Sequence, residues 1–259
     1  MLQVTPVRAF ADNYIWLIHA PRDASQVVAV DPGDAAPAER ALAERKLTLG
    51  GILLTHHHAD HVGGVSTLLQ KRSIPLFGPG SERLAGEPTR LHQGDRATIA
   101  ALGLEFTVLD IPGHTAGHIA YVGHGALFCG DTLFSAGCGR LFEGTPEQMV
   151  GSLAKLAQLP AETLVYCGHE YTVSNLKFEL AVEPQNGEAA RYLEECSRKR
   201  ALDEATLPSS IRHERNVNPF LRCDQQTVKQ AAEAKAGRRL QNTTEVFAVL
   251  RQWKDGFRA

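Results

Sequence analysis

An apolar run that ends abruptly in metal-ligand chemistry constrains this chain more than any other feature. Residues 50–61 read GGILLTHHHADH, so four histidines and an aspartate fall within six residues directly after a buried-strand pattern. The apolar run predicts a strand buried in a sheet. In an extended loop after it, His56 and His58 project to the same side and can grip one ion, while His57 points away. Asp60 and His61 follow as the chain turns into a helix expected from about Val62, and they can face a different point. Gly63 and Gly64 let that helix begin close to the cluster without side-chain crowding. Taken alone, the run is equally compatible with a surface histidine tract that binds metal adventitiously.

The rest of the first half shows where such a cluster sits. Short apolar segments closed by Gly, Pro or Asp recur as NYIWLIHA, VVAVDPGD, IPLFGPG, LEFTVLDIPGH, IAYVGHG and ALFCGD, with one more in ETLVYCGHE. Helical patterns lie between some of them, as in APAERALAERK and GGVSTLLQKR. TPEQMVGSLAKLAQLP predicts a helix with Thr145 as N-cap, Pro146 at its first position and Gln148 completing a capping box. Ligand-type residues follow the strand ends: Asp31, the His56–His61 cluster, His114, Asp131 and His169. Side chains at strand exits can converge on one edge of a sheet, held there by irregular loops. Beyond Tyr171 strand signals fade into polar helix, and a boundary is placed near residue 172.

Composition removes several classes. The 259 residues, 43% hydrophobic, are ample for a core without structural disulfides or metals. The N-terminal MLQVTPVRAF lacks a signal-peptide pattern, and no run approaches the roughly 18 apolar residues of a membrane span. The five cysteines form no C-x-x-C pair, which fits reduced thiols in a cytoplasm. Cys129 and Cys167 precede ligand-type residues and are read as small core residues. A net charge of -2 does not argue for nucleic acid. Residues 191–259, with 14 Lys/Arg against 9 Asp/Glu, are nevertheless a basic surface that could meet an anionic ligand or simply be solvated. His19, His92, His124 and His213 have no ligand-like context and are read as surface or core residues.

Further elements change the weight of the histidine cluster. With PGHTAGH at 112–118, CGDTLF at 129–134, CGHEYT at 167–172 and Asp31 in VDPGD, the H-x-H-x-D-H run resembles the metallo-β-lactamase superfamily. That resemblance implies an α/β fold, the αββα four-layer sandwich, here with a C-terminal helical domain: residues 1–172 catalytic and 173–259 helical. It implies two divalent ions, with His56, His58 and His114 on one, Asp60, His61 and His169 on the other, and Asp131 bridging. Imidazoles and carboxylates without thiolate suit zinc first, with iron and manganese also accommodated. Seven ligands shared by two ions leave open positions, and such a pair can generate hydroxide at neutral pH. Asp60 and Asp131 would hold the metals and steer the proton of the nucleophile. His118 and Asp31 would orient ligands or loops.

Features outside the metal motifs narrow the family. DNYIW at 12–16, AGCGRLFEGTPEQM at 136–149, GHEYT at 168–172, NPFLR at 218–222 and RQWKDGF at 251–257 resemble the hydroxyacylglutathione hydrolases, the glyoxalase II family. The resemblance implies hydrolysis of S-D-lactoylglutathione to D-lactate and glutathione in methylglyoxal detoxification. It also implies glutathione contacts from Arg140, Tyr171, Arg251 and Lys254. Relatives have lysine and then tyrosine two positions on in the CGRLFEGT stretch; Arg140 keeps the charge, whereas Phe142 lacks the hydroxyl and is read as packing. In NTTEVFAVLRQWKDGF, Asn242 and Glu245 read as a capping pair and Val246, Leu250, Trp253 and Phe257 as the buried stripe. Spacing alone would make Arg251 and Lys254 solvated; the resemblance makes them free to reach glutathione carboxylates. The enzyme is expected to be a cytoplasmic monomer whose partner is this small thioester, not nucleic acid or membrane. Rival readings are a lactamase or lactonase, a persulfide dioxygenase and an RNA phosphodiesterase. Zinc lactamases commonly carry cysteine where this chain has Asp131, and the dioxygenases are mononuclear. The phosphodiesterases would be expected to show a basic docking arm, and here the basic tail is short and helical.

Overall fold

A computed structural model describes residues 2–258. Strands β1 (Val4–Ala9), β2 (Asn13–Ala20), β3 (Asp23–Val30), β4 (Thr48–Leu53), β5 (Leu76–Pro79) and β6 (Thr89–Leu91) form the first sheet in that order. Every residue of β2 is buried, its apolar stretch Tyr14–Ile18 together with the polar Asn13 and His19. The first two pairings are antiparallel, but β3, β4, β5 and β6 run parallel. Parallel strands need crossovers. Helix α1 (Ala35–Glu44) supplies the first, with the short helices α2 (Ala59–Val62) and α3 (Val65–Leu69) in the second. One core joins Ala38 and Leu42 of α1 and Val65 and Leu68 of α3 to Ile15, Leu17 and Val27 of the sheet.

Parallel strands also bring their exits to one edge. Val30 pairs with Leu53, so Asp31 follows β3 beside the start of the histidine loop, and its N–H donates to the Leu53 carbonyl at 3.0 Å.

The second sheet is also six-stranded. It contains β7 (Arg96–Ile99), β8 (Leu104–Asp110), β9 (Ile119–Gly123), β10 (Ala126–Gly130), β13 (Leu164–Cys167) and β14 (Ser209–Ser210), in the order β14-β13-β10-β9-β8-β7. A separate two-stranded ladder, β11 (Leu133–Phe134) with β12 (Gly137–Cys138), follows β10. Tyr121 Oη donates to the Leu54 carbonyl at 2.8 Å and Trp16 Nε1 to the Cys167 carbonyl at 2.9 Å, tying the two large sheets together.

The sequence reading lacks β1, β6, β7, β11, β12 and β14. Their physics explains it: β1 carries Pro6 and Arg8, β6, β11, β12 and β14 are two or three residues long, and β7 is only four, too short for a period to stand out. Each ends its sheet, where short and polar strands are the rule.

Helix α4 (Pro146–Ala157) has the expected complete capping box of Thr145 and Gln148. The later helices are α5 (Thr172–Val182), α6 (Gly187–Ala201), α7 (Ile211–Val217), α8 (Gln226–Ala236) and α9 (Thr243–Gly256). On α9, Asn242 accepts from the Glu245 N–H at 2.9 Å, but the Glu245 carboxylate pairs with Arg238 at 2.6 Å instead of closing the box. Val246 and Leu250 are buried as expected, and the Trp253 and Phe257 rings pack edge-on to Phe178, each at 5.4 Å.

By packing, the chain forms two compact units. One takes in the chain to Asp110, Ala116–Gly130 and Tyr166–His169; the other takes in Ile111–Thr115, Asp131–Val165 and the chain from Glu170. No helix among the described residues is long and apolar enough to cross a membrane.

Candidate metal centre

In the first unit the histidine loop leaves β4 and enters α2 earlier than its pattern suggests. The helix starts at Ala59, not near Val62, so Asp60 and His61 lie on its single turn. The N–H groups of His61 and Val62 donate to the His58 carbonyl at 2.9 and 3.2 Å, which winds the turn before the glycines are reached. Gly64 is required beyond it, because a Cβ there would strike the Pro32 carbonyl and the Ala35 nitrogen.

His56 and His58 do face one point, with His56 Nε2 3.2 Å from His58 Nδ1. Asp60, His61 and His169 form a second group whose donor atoms lie within 4.8 Å of one another, as do those of Asp31, His56 and His61. Asp60 Oδ2 is 3.6 Å from His61 Nε2 and 3.5 Å from His169 Nε2. His57 turns elsewhere, its Nδ1 3.0 Å from the buried carboxylate of Glu82.

A metal-bound imidazole is normally oriented by a hydrogen bond at its other ring nitrogen. Two of the candidate ligand histidines, His61 and His169, have such partners on carboxylates. His61 Nδ1 lies 3.1 Å from Asp31 Oδ2, and His169 Nδ1 lies 2.7 Å from Asp12 Oδ1. Asp31 also accepts from the Thr55 N–H and hydroxyl at 2.8 and 2.7 Å, so one carboxylate fixes both the loop entry and a ligand ring. Buried His118 stacks on His56 with ring centroids 4.5 Å apart and bonds the Ile119 carbonyl through Nδ1. Asp31 thus anchors the loop by hydrogen bonds as expected. Asn13 Nδ2 donates to Asp60 Oδ2 at 2.9 Å.

The second unit holds the other two ligand candidates. His114 Nε2 lies 3.5 Å from Asp131 Oδ2, and His114 Nδ1 meets the Arg140 carbonyl at 2.9 Å. Gly139 makes this approach possible, since a Cβ there would overlap the Asp131 carbonyl and crowd His114 Nδ1. The Phe142 ring stands edge-on to His114 at 5.2 Å and is 63% exposed, so it does not serve as core packing.

The expected glutathione contacts divide. Arg140 is exposed, with Nε 3.6 Å from Asp255 Oδ1, and Tyr171 is partly exposed with its ring edge on Phe134. Lys254 Nζ donates to the Ser174 carbonyl at 3.0 Å and lies over the Phe178 ring. Burial, followed by the neighbouring Arg251 charge, lowers its pKa to about 8. Arg251 departs from expectation. It is 6% exposed and donates to the Cys138 carbonyl at 2.7 Å and to Asp255 at 3.0 Å. Like Val246, Phe247 and Leu250 it is a buried residue of α9, and its planar guanidinium lies over the Phe220 ring.

Sequence reasoning also passed over Asp12, Asn13, Glu82 and Asp255. DNYIW is a visible motif, but nothing local in it says that Asp12 meets a histidine 157 positions away.

Clustered imidazoles and carboxylates, their rings oriented by carboxylates and carbonyls, make this a divalent metal site. The metallo-beta-lactamase superfamily model matches residues 12–169, and the hydroxyacylglutathione hydrolase C-terminus model matches residues 170–257. A hydroxyacylglutathione hydrolase of Photobacterium profundum is 53% identical over 260 residues, covering 99% of this chain and 100% of the relative. That of Cupriavidus taiwanensis is 52% identical, with both chains fully covered. Among solved structures, ETHE1 from Myxococcus xanthus shares 26% identity with a TM-score of 0.66, covering 96% of this chain and 89% of that one. TTHA1623 in a di-iron-bound form shares 25% identity with a TM-score of 0.60, covering 84% of this chain and all of that one.

Proposed function

We infer that this chain, which belongs to the hydroxyacylglutathione hydrolase family of the metallo-beta-lactamase superfamily, hydrolyses the thioester of S-2-hydroxyacylglutathiones. S-D-lactoylglutathione is the substrate, D-lactate and glutathione are the products, and methylglyoxal detoxification is the role. One observation carries this reading: a metal-ligand set in residues 12–169 is continuous with the family's own C-terminal region at 170–257. The superfamily fold hosts other hydrolyses, so the C-terminal match is what selects the thioester.

The proposed site binds two divalent ions, zinc first among zinc, iron and manganese. His56, His58 and His114 would hold one, Asp60, His61 and His169 the other, and Asp131 both. Such ions supply Lewis acidity towards a carbonyl and acidify water at neutral pH. The protein's part is orientation. Asp31 and Asp12 fix the rings of His61 and His169, the Arg140 carbonyl fixes His114, and Asn13 directs the Asp60 carboxylate. Asp60 and Asp131 would also accept and steer the proton of the attacking water. The departing thiolate needs no strong acid.

In the proposed domain division, residues 1–172 are catalytic and 173–259 bind glutathione. Arg140, Tyr171 and Lys254 offer it donors directly. Arg251 acts from behind, holding Asp255 and the Cys138 carbonyl. The test compares purified protein on S-D-lactoylglutathione, nitrocefin, a lactone and a precursor RNA, with elemental analysis alongside. Preferential thioester turnover and two ions per chain are expected. Preferential turnover of another substrate would overturn the reading, and one ion or fewer in chelator-free protein would overturn the dinuclear centre.

A further inference from the structure

Between Asp131 and Arg140 the chain makes a tight hairpin, β11–β12, that contains no ligand-type residue other than a buried cysteine. Its backbone is held by side chains from three helices. Asn218 Nδ2 donates to the Phe134 carbonyl at 3.1 Å, to the Gly137 carbonyl at 2.9 Å and to Glu214 Oε2 at 3.1 Å. The same Glu214 oxygen accepts from the Ala136 N–H at 2.8 Å. Asn175 of α5 donates to the Ser135 carbonyl at 3.0 Å, and Arg251 of α9 donates to the Cys138 carbonyl. Each residue from Phe134 to Cys138 therefore has a backbone group met by a polar side chain.

This arrangement does more than fill hydrogen bonds. Asn218 and Glu214 are both 0% exposed, and burying a carboxylate and an amide together costs solvation that an apolar pair would avoid. Glu214 Oε2 is used twice, while among the described residues Glu214 Oε1 and Arg251 Nε make no hydrogen bond. Such networks constrain geometry. The hairpin tip needs that, because Ala136 has φ 54°, a left-handed conformation that a non-glycine residue keeps when its surroundings hold it.

The hairpin's two ends carry one of the second unit's metal-ligand candidates and the group beside the other. At one end is Asp131; at the other the Gly139 N–H donates to the Thr132 carbonyl, and the Arg140 carbonyl meets His114 Nδ1. A shift of the hairpin would move Asp131 and the group that orients His114 together.

We propose that Asn218 and Glu214 are positioning residues for the metal centre, clamping the β11–β12 hairpin so that Asp131 and the Arg140 carbonyl keep their places around His114. This gives the NPFLR motif a task, and it rests on the metal-site part of the function proposed above.

The test uses the full-length metal-loaded protein with Asn218→Ala, Glu214→Ala, Glu214→Gln and, as a stability control, Val228→Ala in the buried face of α8. Metal affinity is read by competition with a chromophoric chelator, ligand geometry from the cobalt(II)-substituted spectrum, and kcat separately from KM. Folded Asn218→Ala and Glu214→Ala should bind metal about 10–100-fold more weakly, with an altered cobalt spectrum. Their kcat should fall about tenfold or more while KM stays within about twofold. Glu214→Gln should restore most of this, since an amide oxygen still accepts from Ala136 and Asn218. Val228→Ala should melt earlier yet keep wild-type metal affinity and spectrum. If Asn218→Ala does not fold, Asn218→Ser carries the same measurements. Wild-type metal affinity and spectrum in the folded Asn218 variant would overturn the proposal, as would equal metal loss in a Val228→Ala protein of matched stability. Metal affinity requires no thioester, so a wild-type protein that holds metal but ignores lactoylglutathione would sink the substrate assignment and leave this test intact.

Discussion

The histidine loop and the β11–β12 hairpin both hold metal-ligand candidates in place, and they do it by opposite means. Loop 55–61 carries its own chemistry, and carboxylates from elsewhere only turn its rings: Asp31 for His61, and Glu82 for His57, which faces away. The hairpin has almost no chemistry of its own, yet its ends carry Asp131 and the carbonyl that orients His114. Its position comes from Asn175, Glu214, Asn218 and Arg251, up to 113 residues distant. The supply of ligands is local in sequence, whereas the placement of some of them is distributed over the fold.

The largest expected effect tests the hairpin side. Asp131→Ala should abolish turnover and reduce bound metal below two ions, because Asp131 alone is assigned to both. Retention of two ions and substantial kcat would break the assignment and make the hairpin mere scaffolding.

Arg251 and Lys254, three residues apart on α9, sharpen the comparison next. Arg251→Ala removes buried, charge-assisted hydrogen bonds and should lower stability by about 1.5–3 kcal/mol in denaturant unfolding. Lys254→Ala should cost little stability but raise KM by about one order of magnitude, with kcat nearly unchanged. The double variant should raise KM by about one to two orders. An Arg251→Ala protein as stable as wild type would show that the guanidinium is not structural.

A smaller effect follows from the lowered pKa of Lys254. A lysine whose folded pKa falls from 10.5 to about 8 is a cation below that pH and neutral above it. Attraction for a glutathione carboxylate is thus fully present well below pH 8, halved near it and lost as pH rises further, so KM should climb on the alkaline side. Lys254→Arg should remove that climb, since arginine stays charged. A wild-type KM flat to pH 10 would detach Lys254 from substrate binding.

The smallest effect belongs to His57. It sits between two ligand candidates but pairs with Glu82, so His57→Ala should keep turnover within a few-fold of wild type. A loss as severe as that of His56→Ala would mean that the loop, too, is positioned from a distance.

Sequence alone determined the ligand types, their place at strand exits, the shared face of His56 and His58, the α4 capping box and the apolar side of α9. Each follows from the period of a strand or helix, or from a side chain reaching backbone two or three residues away. Tertiary structure decided that α2 begins at Ala59, that Phe142 is exposed and that edge strands β1, β6, β7, β11, β12 and β14 exist. It also decided that Arg251 faces inward, that Asp12 meets His169, that Asn13 meets Asp60 and that Glu214 holds the hairpin backbone. These depend on sheet register and helix docking, which bring together groups as far apart as His169 and Asp12. A hydrogen bond between such groups leaves no periodic trace, because its energy is set by where the backbones meet and not by what surrounds either residue in the chain.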